Sequence, residues 1–200
     1  MSPILGVIAS SKLGIAPWEP DGAFDALSTI TVPSGGLASV TFAGIPNTYK
    51  HLQIRGIAQD NRATYNTSAL GMKFNGDSGT NYSDHYLQAS WTAGATTAQA
   101  GGDANNTEMG WIAQITSTVA TNVFGAFIID VLDYANATTY KTARSLSGAD
   151  ANAEVAGFRP VPRLASGSWR NTAPVTSITF TSAFGTTISQ YSQFSLYGVK

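Results

Sequence analysis

Cysteine is absent from this 200-residue chain, so there is no disulfide to staple the fold and no thiolate to hold a metal. Charge is scarce as well: Asp, Glu, Lys and Arg make up 12% of the residues, and the formal net charge is -1. That is about half the usual charged fraction. A chain so close to neutral has no basic field with which to hold nucleic acid or an anionic membrane. Histidine occurs only at His51 and His85, and glutamate only at Glu19, Glu108 and Glu154. No run approaches the ~18 apolar residues of a membrane span. The apolar start, residues 1–10, has no basic residue ahead of it and Lys12 behind it. A signal peptide needs the reverse order. Long amphipathic helical patterns and repeats of fixed period are also missing.

What is present is strand grammar. Hydrophobic residues make up 43% of the chain, enough for the core of one domain. The densest apolar run is residues 124–133, Phe-Gly-Ala-Phe-Ile-Ile-Asp-Val-Leu-Asp. In a strand, successive side chains point to opposite faces. One face then carries Phe127, Ile129 and Val131, and the other Phe124, Ala126, Ile128 and Leu132 with Asp130. Both faces are apolar, and each large side chain left in water forfeits about 1.5–3 kcal/mol. A second sheet, a loop or another copy of the chain is expected to cover the second face.

Around this run the alternation predicts further strands. Residues 28–32 (Ile30 and Val32 inward) and 37–43 (Val40 and Phe42 inward) are joined by Pro33-Ser34-Gly35-Gly36, the signal of a hairpin. Residues 50–58 alternate cleanly, with Leu52 and Ile54 inward and His51, Gln53 and Arg55 outward. Residues 70–75, 108–117, 174–181 (Ile178 and Phe180 inward) and 193–200 also read as strands. Residues 82–91 fit a short helix or an irregular strand, and 92–107 read as a long loop. Residues 138–148 read as a polar strand near an edge. Residues 154–164, with Pro160 and Pro162, make an edge segment at best. The sum is all-β: an antiparallel two-sheet β-sandwich of jelly-roll type, with a closed barrel as the alternative. Residues 27–200 form the single domain. Residues 1–26 form an extended N-terminal arm, too apolar at Ile4, Leu5, Val7, Ile8, Leu13, Ile15 and Trp18 for a solvated tail.

Signs of catalysis are few. No nucleophile elbow accompanies either histidine, and no phosphate-binding loop or dinucleotide fingerprint occurs. Asp130 and Asp133 fall on opposite faces of one strand, which suits ending an apolar run better than a glycosidase pair. The cluster Asn75, Asp77, Gly79, Asn81 and Asp84 is rich in oxygen but lacks EF-hand spacing, and it reads as a polar turn. No cofactor is expected. The aromatics Tyr82, Tyr86, Trp91, Trp111, Tyr134, Tyr140 and Trp169 either pack the core and rim or line a sugar platform, with Tyr86, Trp91 and Trp111 the candidates for glycan binding.

Several stretches carry a resemblance. The start Met-Ser-Pro-Ile-Leu-Gly-Val-Ile-Ala-Ser-Ser-Lys, the run from Val40 to Arg55, Lys73-Phe74-Asn75-Gly76-Asp77 and the ending Phe194-Ser195-Leu196-Tyr197-Gly198-Val199-Lys200 are similar to those of small structural proteins of tailed bacteriophages, notably from aquatic and cyanobacterial hosts. These motifs mark a scaffold, so no catalytic residue carries over. The resemblance implies a capsid decoration (cement) protein, a head or tail fibre, or a receptor-binding part, commonly trimeric. The expectation is a non-enzymatic virion protein, a homotrimer whose arm docks on the major capsid protein or another virion protein. The alternative is a tail-fibre protein that binds a host surface glycan. Neither nucleic acid nor membrane is an expected partner.

Overall fold

The computed structural model describes residues 23–92, 95–152, 155–156 and 158–200, without the side chains of Ser90, Trp91 and Thr92. The expected capsid arm, with Ile4, Leu5, Val7, Ile8, Leu13, Ile15 and Trp18, lies outside the described residues. Within them the chain is all-β and has no helix. Its strands are β1 (Phe24–Thr31), β2 (Ser39–Ala43), β3 (His51–Asp60), β4 (Thr67–Phe74), β5 (Tyr82–Thr92), β6 (Ala95–Asn106), β7 (Met109–Ser117), β8 (Gly125–Leu132), β9 (Lys141–Gly148), β10 (Arg163–Trp169), β11 (Ser177–Ser182) and β12 (Gln193–Val199).

The strands join into one mixed sheet of twelve. One part runs β1-β12-β3-β8-β9-β10-β5-β6 and the other β2-β11-β4-β7, each antiparallel throughout. A short parallel pairing, Gln59 with Thr116 and Asp60 with Ser117, links β3 to β7 and so joins the parts. Strand β7 contacts β5, β8, β9 and β10, which lays the smaller part over the inner face of the larger. The core lies between them. Phe127, Phe180 and Phe194 meet there with ring centroids 5.3–6.5 Å apart, among the buried Leu52, Ile54, Ile129, Val131 and Ile178. Strands β1, β2 and β6 each pair with a single strand among those described, so the sheet does not close into a barrel.

The inward residues expected from alternation in β2, β3, β8 and β11 are the buried ones. Several other expectations are corrected. The runs at 28–32 and 37–43 do not form a hairpin: β1 pairs with β12, and β2 with β11. Alternation sets which face is buried, not which strand lies beside it, and the turn at 33–36 moves the chain between the two parts. Strand β1 already begins at Phe24, so residues 24–26 belong to the sheet rather than to an arm. Residues 82–91 are strand, and most of the expected loop at 92–107 is β6, paired with β5 from Thr92↔Ala95 to Tyr82↔Asn106. It escapes periodicity because hardly any of its side chains are covered. The segment at 138–148 is not near an edge. Strand β9 lies between β8 and β10, and its inward residues are Lys141, Ala143, Ser145 and Ser147. Ser145 donates to the Ile112 carbonyl, and Ser147 accepts from the Gln114 amide. Short hydroxyls there let β7 lie close. Gly125 serves the same approach, since a Cβ on it would stand 2.6 Å from the Ile115 Cα. The proline segment forms no strand before Arg163, where β10 begins directly after Pro162. The second face of β8 is left partly open among the described residues: Ile128 is 43% exposed.

The junction between the parts is polar and buried. The Gln59 amide donates to the carbonyls of Ser117, Ala120 and Val123. Asp60 is fully buried, and its Oδ2 accepts from Ser68 (2.5 Å), Ser182 (2.7 Å) and Thr186 (2.7 Å). Hydrogen bonds to a charged group contribute about 1.5–3 kcal/mol each, and orphaned partners add their own cost. Asp60→Ala is therefore expected to lower stability by about 3 kcal/mol or more. Ser182→Ala is expected to cost less. Urea denaturation checks both, and a parent-like midpoint for Asp60→Ala would contradict the role assigned to the junction.

Candidate functional site

A cleft of about 570 Å³ opens between the β5–β6 hairpin, the start of β10 and a distorted stretch of β7. Its size falls within the range of small-molecule sites, about 300–1,000 Å³. The distortion is a bulge. Between the pairs Leu70↔Ala113 and Met72↔Met109, β4 advances two residues while β7 advances four. Bulges re-aim side chains. Trp111 sits in this one at φ 56, in the left-handed region, and the residue is 38% exposed where it lines the cleft. A bulky residue held there costs about 1–3 kcal/mol. Phe184 meets the Trp111 ring edge-on at 5.2 Å.

Alternation along β5 turns Asp84, Tyr86 and Gln88 into the cleft. Arg163, paired with Gln88, is the first residue of β10 and is 2% exposed. Its guanidinium lies 3.7 Å from the Tyr86 ring centroid and 5.5 Å from that of Trp111. Arg163 Nη1 donates to Gln88 Oε1 at 2.5 Å, and Gln88 Nε2 donates to Gln99 Oε1 at 2.8 Å. Arg163 Nε has no hydrogen-bond partner among the described residues. Burial pulls the Arg163 pKa down, while Tyr86 and Asp84 hold it up; an arginine stays charged in any case. Asp84 faces Asp103 across the β5–β6 ladder. Burial first, and then the charge of Asp103, push the Asp84 carboxyl above its usual range, against the pull of Arg163, the Gly110 amide and Asn106. On the far wall the Arg62 guanidinium lies 3.6 Å from the Phe184 ring centroid and 4.4 Å from that of Tyr65. Both arginines thus stack on aromatic rings, a favourable cation–π arrangement.

Of the glycan candidates, Tyr86 and Trp111 come together, bridged by Arg163. The side chain of Trp91 lies outside the described residues; its backbone pairs with Thr96. Tyr82, Tyr134 and Trp169 are buried core residues, and burial raises the Tyr82 pKa to about 12. Tyr140 is exposed and does not line the cleft. The sequence reading missed Arg62, Tyr65, Arg163 and Phe184, because they lie far apart in the chain and share no spacing. His51 caps a loop, its Nδ1 accepting from the Asp133 amide at 3.0 Å. Asp130 accepts from Gln53 and Arg144 on neighbouring strands. Asp77, in the oxygen-rich turn, accepts from the Gly79 amide, Asn81 Nδ2 and Trp169 Nε1 at 2.7–2.9 Å. The Trp169 hydrogen bond foremost, then those from Asn81 and Gly79, hold its pKa low. Among the described residues, no group of three or more His, Cys, Asp or Glu side chains is placed to hold a metal ion.

The two shifted carboxyls predict opposite trends with pH. A lowered folded pKa, as in Asp77, gives stability that is present above the unfolded value of about 3.9 and lost as pH falls through the folded value. A raised one, as in Asp84, gives stability that is present below about 3.9 and lost as pH climbs through the folded value. Asp77→Asn is thus expected to lower the urea midpoint more at pH ~6 than at pH ~2. Asp84→Asn is expected to compare better with the parent at pH ~6 than at pH ~3. Midpoints measured across this range check both signs.

No protein-family model matches the chain, and no curated protein matches it. Among solved structures, a fructofuranosidase from Schwanniomyces occidentalis complexed with fructosylnystose aligns over 86% of this chain and 35% of its own, at 6% identity and a TM-score of 0.15. A likeness that slight carries no conclusion about fold or chemistry.

Proposed function

We propose that this protein is a non-enzymatic structural component of a tailed-phage virion: a capsid decoration (cement) protein that binds and stabilises the head shell as a homotrimer, assembled in the host cytoplasm. The observation that carries this reading is an apolar row on the outer face of the larger sheet part. Ile128, Leu146, Leu164 and Leu87 are directly paired across β8, β9, β10 and β5. They are 43%, 62%, 52% and 53% exposed. Contiguous exposed apolar surface marks an interaction site. Burying each side chain fully is worth about 1.5–3 kcal/mol. A second copy of the chain, or the capsid surface, supplies the cover that β8 lacks among the described residues. The finer description of the fold, a two-sheet sandwich of jelly-roll type, belongs to the same proposal and is supported by the way the β2-β11-β4-β7 part lies over the other.

The alternative is a tail-fibre or receptor-binding protein that recognises cell-surface carbohydrate. The cleft favours it, since it brings the exposed Trp111 ring together with Tyr86 and polar side chains.

Leu146→Asp combined with Leu164→Asp puts charge into the middle of the row. The parent is expected to run as a trimer in light scattering and to occupy phage heads. The double variant is expected to run as a monomer and to leave the heads bare. Deleting residues 2–15 tests the arm separately, with loss of occupancy expected while the trimer survives. A monomeric parent, or full occupancy by the double variant, would count against the decoration role.

A further inference from the structure

We propose that the cleft binds a saccharide that carries a carboxylate, with the acid group on Arg163 and the sugar ring against Trp111. This rests on the carbohydrate-recognising alternative above and adds the charge of the sugar to it. Arg163 is 2% exposed, yet its donors are under-used: Nη1 donates to Gln88, and Nε has no partner among the described residues. A guanidinium presents five N–H donors in a planar fork that matches a carboxylate. A buried donor left unpaired is unfavourable, and an entering carboxylate relieves it.

The protein's own acids do not fill that role. Asp84 is engaged by the Gly110 amide and Asn106 and acts on Arg163 only through space. No ion pair among the described residues includes Arg163. Arg62 and Arg163 line the cleft together with Asp84 and Asp103. Trp111 supplies the remaining part. Its backbone is held at φ 56, and the residue is 38% exposed beside Arg163. A bare anion would leave the exposed part of Trp111 uncovered, and a neutral sugar would bring no charge to Arg163.

The test is calorimetric titration of the full chain with trigalacturonic acid, a glucuronic-acid disaccharide and sialyllactose, each beside its methyl ester. Esterification keeps the ring and removes the charge. At least one acid is expected to bind, with its ester weaker by about tenfold or more. Added salt weakens the acid's binding. Arg163→Gln and Trp111→Ala are each expected to cost about tenfold as well. Because Arg163 is buried, Arg62→Gln on the more open wall serves as a second variant, with the same direction of loss expected. Equal binding of acid and ester would overturn this proposal and leave carbohydrate recognition standing. Glutarate, which has no ring, binding as tightly as the acidic sugars would overturn it too. No binding by any of the sugars would overturn both. Unchanged affinity in folded Arg163→Gln would remove Arg163 as the anion's seat and overturn the proposal, and unchanged affinity in Arg62→Gln would mean that the bound sugar does not occupy this cleft, which overturns it too.

Discussion

The structure depends on the end of β3, where one strand serves both parts of the sheet. Most of β3 pairs with β12 and β8, but its last residues turn to β7. Leaving one set of partners for another exposes backbone groups at the crossover, and those must be satisfied. The Gln59 backbone amide donates to Ser192 Oγ and its carbonyl accepts from Ser189, the Asp60 carbonyl accepts from Thr118, and the two side chains tie in the neighbouring strands. The Gln59 amide gathers the carbonyls at the end of β7 and beyond, and Asp60 collects hydroxyls from β4, β11 and the loop at Thr186. The charge of Asp60 is tolerated because each hydroxyl donates to it in a site closed to water. An apolar residue there would take this acceptor from Ser68 and the Arg62 amide and leave Ser182 and Thr186 only each other.

From that junction the packing of β7 on the larger part follows. With β7 fixed to β3 at one end, its remaining length crosses β8, β9, β10 and β5 at close range. The inward faces of β9 and β10 below it accordingly carry Ala143, Ser145 and Ala165 rather than Leu or Phe. Farther along, Trp111 and Gly110 fall in the bulge, and the gap that opens there is the cleft. The cleft is thus the region where β7 stops following the ladder, and the strained Trp111 backbone is held by the structure on either side.

The sequence was most legible where one face of a strand meets a fully apolar core. Leu52 and Ile54, Phe127 and Ile129, and Ile178 and Phe180 sit where alternation puts them. It was least legible where burial is achieved with small or polar groups. Strand β9 hides Lys141 by donating its Nζ to the carbonyls of Thr139 and Thr172, so a central strand carries the composition of an edge. Strand β6 is held by backbone pairing to β5 with almost no burial, leaving no periodic signal. Its Gly101 is needed because a Cβ would meet the Tyr86 hydroxyl at 2.7 Å, yet in the chain it reads as loop glycine. The cleft was half legible. Tyr86 and Trp111 stand out as aromatics, whereas Arg62 and Arg163 gain meaning only from rings brought to them by the fold.

The apolar row and the cleft are carried by the same two strands. On β10, Arg163 points into the cleft and Leu164 to the outer row; on β5, Tyr86 points in and Leu87 out. Leu164 pairs with Leu87, and Arg163 with Gln88. Sheet alternation therefore sets adjacent residues to opposite tasks, one facing the cleft and one facing outward. A one-residue slip in the β5–β10 register would turn arginine outward and leucine inward, disrupting both surfaces together. The register is pinned on the inner side by the Arg163–Gln88 hydrogen bond and at the far end by Trp169 paired with Tyr82, two rings stacked in the core. The groups that fix this register therefore also hold the leucines in line, and the outer face is as well ordered as the cleft behind it.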